Sequence, residues 1–383
     1  MKTYKFIVNT LCCLIPFRRP RHKMRDKLME YYWLPQSVIE LAKYKTYKIP
    51  QKSVLIIEPN YFHGEVVPGI AKYIQELGYT PVIILHPQVR RDNPFCRWAA
   101  HPTVFYMMPD ITRRILKQTR NKFEFVFLTS HTLWSMRYFG PYIKYLGFVP
   151  DSKHKYMAIE HDTSFIKKFH QEQNKSRLFT LTGFDDTPML NPHYFGETPA
   201  TPRNQDTTIF FAVVNQQSAA DKLFSATRNL LKQGQRNFRV IIGGRTCIKK
   251  IPTDLQNVIT LTGFLTFKQL WNWIDKSDFF IFGMDAKNET HRRYTQTTVT
   301  GSLQTVLAFA KPGIIEPEFA TAYKLDDDVV IIDENLANAM TRALNMSHSE
   351  YQKMQNNIKK LADKITNESL RNLETKITHR GME

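Results

Sequence analysis

Cysteine is scarce in this chain, with only Cys12, Cys13, Cys96 and Cys247 among 383 residues. No Cys-x-x-Cys pair and no metal-ligand spacing occurs among them, which argues against a disulfide framework or a structural zinc site and fits a reducing cytoplasm. A long apolar run is also missing. Phe6 to Phe17 (FIVNTLCCLIPF) is mostly apolar but is broken by Asn9 and Pro16, and it is well short of the roughly 20 residues a spanning helix requires. The small-residue cleavage site of a secretory leader is absent after it. In its place Arg18 to Lys27 carries six basic residues and one acidic, so secretion is not expected. The chain shows no low-complexity tract, no repeat beyond two similar halves, no acidic metal motif, and no recognisable RNA- or DNA-binding module.

What is present begins with charge. Lys and Arg outnumber Asp and Glu by 53 to 35, a net charge of +18. The first 50 residues alone hold 11 Lys/Arg against 3 Asp/Glu, so the excess is lopsided. A short apolar segment lying at the headgroup level, followed by a polybasic cluster that reaches anionic lipid, accounts for both features and predicts a monotopic membrane-associating segment over residues 1–50.

The remainder has the length and the 42% hydrophobic content for two domains with separate cores. Ser53 to Glu58 reads as a buried strand, Glu65 to Leu77 as an amphipathic helix ended at Gly78, and Pro81 to Leu85 as the next strand, which together make a βαβ unit. Further strands are expected at Phe123–Leu128, Lys155–Ile159 and Leu178–Leu181. Polar clusters follow these strands: Asn60 to Glu65, Ser130-His131, Glu160-His161-Asp162 and Asp185-Asp186. Parallel strands would gather them at one edge, where open α/β sheets bind ligands. His63, Glu65, Glu160, His161 and Asp162 are therefore the candidate proton-transfer residues.

Residues 196–206 (GETPATPRNQD) lack large apolar side chains and contain two prolines, so they are expected to be an interdomain linker. A second alternating pattern follows over residues 207–365, and 366–383 reads as a tail. The most informative stretch is Ser277 to Pro312. A short strand at Asp278–Phe282 leads into a basic loop with Arg292, Arg293 and Tyr294. A helix is then expected from near Thr298, with Gly301 in its first turn. Free N–H groups, the hydroxyls of Thr300 and Ser302, and two guanidinium groups together suit a diphosphate. Gly243-Gly244-Arg245 and Gly263-Phe264 end two other strands of the same half.

Two doubly wound domains with this arrangement resemble the GT-B glycosyltransferases. The residues that carry the resemblance are Val258 to Phe264, the helix Phe267 to Ile274, Ser277-Asp278, Gly301-Ser302, and Ala308 to Pro312. The order is similar to the nucleotide-sugar half of bacterial lipopolysaccharide and capsule enzymes. The resemblance implies an α/β fold of two Rossmann-like domains facing each other across a cleft, the acceptor-side domain over 51–200 and the donor domain over 207–365. It implies a nucleotide-diphosphate sugar as donor substrate and neither a cofactor nor a bound metal. The base is expected near Gly263 and Phe264, and the phosphates at Thr300, Gly301 and Ser302, assisted by Gly243, Arg245, Arg292, Arg293 and Tyr294. The acceptor is expected to be a glycan or glycolipid at the cytoplasmic face of an anionic membrane. The glutamate pair separated by seven residues that marks much of the retaining group is not found around Glu289, Glu316 or Glu318, so the stereochemical outcome stays open. A nucleotide-sugar epimerase on the same fold is the nearest alternative, and a nucleic-acid-binding protein without catalysis is the alternative from another class.

Overall fold

The computed structural model describes residues 2–99, 101–118, 122–135, 142–144, 155–170, 172–198, 201–214, 216–244, 248 and 250–379. Its chain divides into two compact units. The first comprises residues 1–92, 100–161 and 165–179, and the second 93–99, 162–164 and 180–383.

The first unit opens with three helices, α1 (Lys2–Cys13), α2 (Arg18–Tyr31) and α3 (Leu34–Thr46). Then come β1 (Ser53–Glu58), α4 (Val66–Glu76), β2 (Thr80–Leu85), β3 (Thr103–Tyr106), α5 (Pro109–Gln118), β4 (Phe125–Leu128), a short antiparallel pair β5 (Leu133–Ser135) and β6 (Tyr142–Lys144), β7 (Tyr156–Ile159), α6 (Ser164–Lys168, its first residue grouped with the second unit) and β8 (Leu178–Phe179). The six long-sheet strands lie in the order β3-β2-β1-β4-β7-β8, and every pairing is parallel. Covering both faces of a parallel sheet demands continuous apolar strands. SVLIIE in β1 meets that demand with six buried residues in a row. The alternate positions Leu55 and Ile57 of β1 pack with Val82, Ile84, Val126 and Leu128 of its neighbours into one core.

The second unit repeats the plan. β9 (Thr208–Val213), α7 (Gln217–Lys232), β10 (Phe238–Gly243), β11 (Ile259–Gly263), α8 (Phe267–Lys276), β12 (Phe279–Ile281), α9 (Gly301–Phe309), β13 (Gly313–Ile315), α10 (Pro317–Ala322), β14 (Val330–Ile332), α11 (Leu336–Asn345) and α12 (His348–His379) follow in turn. The strand order β11-β10-β9-β12-β13-β14 matches the first sheet. Helix α8 starts where its sequence says it should: Thr266 and Gln269 form a reciprocal capping box, which satisfies two otherwise orphaned donors.

Three expectations need correction. Helix α9 begins at Gly301 with Thr300 as its cap, not near Thr298, because the Thr300 side chain accepts from the Ser302 N–H and sets the first turn. Residues expected to form a tail continue α12 to His379, with Ser369 and Leu373 fully buried. The described residues of the expected linker, 196–198 and 201–206, pack within the second unit. Thr198 donates to the Ala308 carbonyl, Thr201 to that of Asp275, and Asn204 binds the buried Asp278 carboxylate through both its N–H and its amide.

Lys311 locks the same segment. Its ammonium group is buried and donates to Thr201 Oγ1 at 2.6 Å and to the carbonyls of Asp275 at 2.9 Å and Ser277 at 2.5 Å. Burial pulls its pKa down to about 8. Replacing it as Lys311→Met takes this donor from the buried Ser277 carbonyl and the part-buried Asp275 carbonyl, so chemical denaturation should show a loss of about 1–3 kcal/mol.

Candidate functional site

In a sheet of order 3-2-1-4-5-6 the chain reverses direction between the first and fourth strands, and the loops there open a crevice at the carboxyl edge. In the first unit this point lies between β1 and β4. The register sets Ile57 beside Leu128 and Leu128 beside Ala158, so residues after these strands converge. Glu58 is fully buried and is held by three donors: Asn60 N–H at 2.6 Å, Thr129 Oγ1 at 2.7 Å and Ser130 Oγ at 2.7 Å. Burial raises its pKa, and His63, Ser130, Thr129 and Asn60 oppose the rise. Glu58 was not singled out in the sequence, where it reads as the last residue of a strand; its position on β1 before a polar loop was the available signal.

His161 lies above this network. Its Nε2 is 2.8 Å from the Thr129 carbonyl and 3.3 Å from Ser130 Oγ. A carbonyl only accepts, so Nε2 carries the hydrogen and Nδ1 the lone pair. His63 stacks on the ring, with centroids 4.1 Å apart and planes at 23°. Burial, and then the neighbouring His63, lower the His161 pKa to about 4, and burial lowers that of His63. Both imidazoles are therefore neutral near pH 7. Glu65 lies 3.5 Å from His63 Nδ1, and burial pushes its pKa up to about 7. A carboxylate poised near neutrality beside neutral imidazoles is suited to taking a proton from a hydroxyl group.

The structure thus brings His63, Glu65 and His161 together. It gives Glu160 and Asp162 other engagements. Glu160 is buried and accepts from Thr132 Oγ1 at 2.7 Å, with His131 Nδ1 at 3.2 Å. Asp162, in the second unit, caps the start of α6 by accepting from Ser164 N–H and Oγ, and it forms a backbone bridge with Thr298.

In the second unit the equivalent point lies between β9 and β12. A pocket there is lined by Val214, Lys222, Phe282, Gly283, Glu316 and Asp333 among others. Lys222 pairs with Glu316 Oε1, and Glu316 Oε2 accepts from the Ala286 N–H at 2.9 Å. Lys222 was missed because a lone lysine on a helix carries no pattern. Gly283 has φ 62°, and a Cβ on it would lie 2.3 Å from the Val213 carbonyl oxygen, so only glycine fits.

The expected donor residues meet different surroundings. Gly243 serves packing, since a Cβ there would meet the Phe211 ring at 2.4 Å. Arg245 lies outside the described residues. Gly263, at φ 68°, ends β11 facing open space, and Phe264 beside it is 45% exposed. Arg292 and Arg293 are exposed on the short helix Glu289–Thr295, and the Arg293 guanidinium lies 4.9 Å from the Tyr294 ring centroid. The first turn of α9 is less open than expected. Ser302 N–H donates to Thr300 Oγ1 and Leu303 N–H to the Thr300 carbonyl, and Ser302 Oγ turns toward the Phe282 carbonyl at 3.5 Å. Gly301 itself faces open space: a Cβ there would meet nothing within 4 Å. Packing therefore does not require this glycine.

No family model matches the sequence, and no curated protein matches it as a relative. Solved structures do match in three dimensions. Anabaena HepE, in complex with UDP and glucose, superposes with a TM-score of 0.50 at 10% identity, over 84% of this chain and 99% of its own. AviGT4, a glycosyltransferase involved in avilamycin A biosynthesis, gives a TM-score of 0.51 at 11% identity, over 84% and 98%. The fold is that of the GT-B glycosyltransferases. A UDP-N-acetylglucosamine 2-epimerase superposes more loosely, with a TM-score of 0.47 at 13% identity over 86% and 96%. Two doubly wound sheets with the same strand order are what the GT-B fold requires, and this chain has both.

The cluster predicts a pH signature. If Glu65 is the base, kcat/KM rises as pH passes through about 7; Glu65→Gln removes that limb and lowers kcat by about 10²–10⁴. A wild-type profile flat through neutrality counts against a Glu65 base that titrates there. Stability carries a separate signature. The raised Glu65 pKa contributes stability that is present below 4.5 and lost as pH rises through about 7, whereas the lowered His161 pKa contributes stability that is present above 6.5 and lost as pH falls through about 4. The two slopes oppose each other and nearly cancel, so Glu65→Gln should make stability change more positively with pH between 4.5 and about 7 in denaturation titrations.

Proposed function

We propose that this protein is a glycosyltransferase that moves a sugar from a nucleotide-diphosphate donor to a hydroxyl group of a cell-surface glycan or glycolipid, in the manner of lipopolysaccharide and capsule enzymes. The observation that carries the reading is the His63–Glu65–His161 cluster at the reversal point of the first sheet, on a fold shared with HepE, which was solved with UDP and glucose, and with the glycosyltransferase AviGT4.

In this reading the first unit receives the acceptor and the second the donor. The acceptor oxygen attacks the anomeric carbon, and its proton passes to Glu65 or to a neutral imidazole beside it. The bond from the anomeric carbon to the diphosphate oxygen breaks, and its electron pair leaves with the nucleoside diphosphate. Arg292, Arg293 and the edge of α9 at Gly301 supply positive potential where that charge develops, which favours the transition state over the ground state. The open space at Gly301 admits close approach of the diphosphate to the backbone. Gly263 and Phe264 provide an exposed backbone turn and an aromatic face for the base.

The first test is thermal stability with UDP, GDP, ADP and CMP, because a ligand that binds the native state raises its apparent stability. A selective rise with one nucleotide, followed by its release from the matching nucleotide sugar, is expected. No rise with any of them, beside a large rise with single-stranded nucleic acid, would overturn the reading. Gly301→Ala separates ligand binding from folding. Unfolding free energy should stay within about 0.5 kcal/mol of wild type because the position is open, while nucleotide affinity falls. Arg292→Ala should weaken nucleotide binding by about tenfold or more.

A further inference from the structure

Eleven large apolar side chains are exposed among the described residues, and ten of them lie between Phe6 and Ile39, the other being Phe264. For the five from Phe6 to Phe17 the exposure has a local cause. Helix α1 packs on α2 through Val8, Cys12 and Met29, all buried, with Tyr4 and Leu28 beside them and Tyr4 Oη donating to the Leu28 carbonyl at 2.6 Å. Tyr4, Val8 and Cys12 recur every four residues and use up one face of α1. Phe6, Leu11 and the connecting turn are left outside. The turn is the most exposed part, with Leu14 at 82% and Phe17 at 72%. It is nonetheless ordered, because Arg21 Nε donates to the Ile15 carbonyl at 2.7 Å and Arg21 N–H to that of Phe17 at 3.1 Å. Immediately behind the apolar tip comes the run of six basic residues with one acidic.

We propose that the helical hairpin α1–α2 docks, tip first, on an anionic lipid bilayer. Apolar side chains at the tip enter the headgroup–acyl boundary while the basic residues behind it meet lipid phosphates. Charge selects this occupant. Two copies of the hairpin would bring like charges together, and a nucleic acid offers no place for Leu14 and Phe17. Among the described residues no helix is long and apolar enough to cross a membrane, so the hairpin docks on the surface. Because α1 is already folded against α2, docking requires no new helix.

The hairpin also connects to the candidate site within the first unit. Trp33, which follows α2, lies 6.2 Å from the His86 ring, and His86 lies 6.0 Å from Tyr61. Tyr61 meets Phe62 at 5.0 Å, and Phe62 meets His63 at 4.6 Å. This row joins the end of α2 away from the tip to the loop that carries His63.

The test is co-sedimentation of the full chain with vesicles of phosphatidylcholine alone and of phosphatidylcholine with phosphatidylglycerol. Binding is expected to the anionic vesicles only and to weaken with added salt. Leu14→Ser with Phe17→Ser should lower the partition coefficient at least ~tenfold, and Arg18→Glu with Lys27→Glu should do likewise. All four positions are exposed, so the thermal melts of both variants should match wild type, and their far-UV circular dichroism should not change on binding. Absence of binding to anionic vesicles would overturn the proposal. So would equal binding by the Leu14/Phe17 variant, or a wild-type dimer in sedimentation velocity that this variant abolishes, which would assign the face to a second copy. A chain that binds these vesicles yet fails to cleave any nucleotide sugar leaves docking established and counts only against the transferase reading.

Discussion

A carboxylate taken out of water at the end of a central strand organises the first unit. Glu58 can stay in the sheet only while donors surround it, and those donors come from the loop that follows β1 and from the end of β4. The requirement fixes Thr129 and Ser130. The Thr129 carbonyl then fixes the hydrogen of His161, and His161 provides the surface on which His63 stacks. Desolvation thus propagates outward from one buried group: it raises the pKa of Glu58 and Glu65 and lowers that of both histidines. The same removal of water that holds the network together brings a carboxylate close to neutrality.

The second unit uses the same topology with a different economy of residues. Its reversal point is shaped by close backbone approach at Gly283 and by the Lys222–Glu316 pair, not by a histidine cluster. Its glycines are not equivalent. Gly243 and Gly283 are demanded by packing, whereas Gly301 faces open space. The space at Gly301 is where the proposed transferase reading puts the diphosphate, at a helix start.

The N-terminal hairpin connects the two themes of charge and burial. Apolar residues on one face of α1 are consumed by packing on α2, and those left over are grouped at a turn beside a basic run. The aromatic contacts from Trp33 through His86 and Tyr61 tie the other end of α2 to the loop bearing His63.

The sequence by itself determined the elements whose signal is local. Continuous apolar runs such as SVLIIE and PVIIL announce covered parallel strands, Gly78 ends α4, and the capping residues Thr266 and Gln269 open α8. It also determined that polar loops follow strands, which is why His63, Glu65, Glu160, His161 and Asp162 were legible as candidates. Tertiary structure decided which of those residues meet. Glu160 and Asp162 are neighbours of His161 in the chain, yet one is bound inward by Thr132 and the other caps a helix. Glu58 was marked only by its place before a polar loop and Lys222 by no pattern, because, Asn60 apart, their partners Thr129, Ser130 and Glu316 lie 71 or more residues away in the chain. Local periodicity records the burial of a face, while desolvation and pairing depend on which distant strand ends lie side by side. That is set by sheet order and register, and no single stretch of the chain contains it.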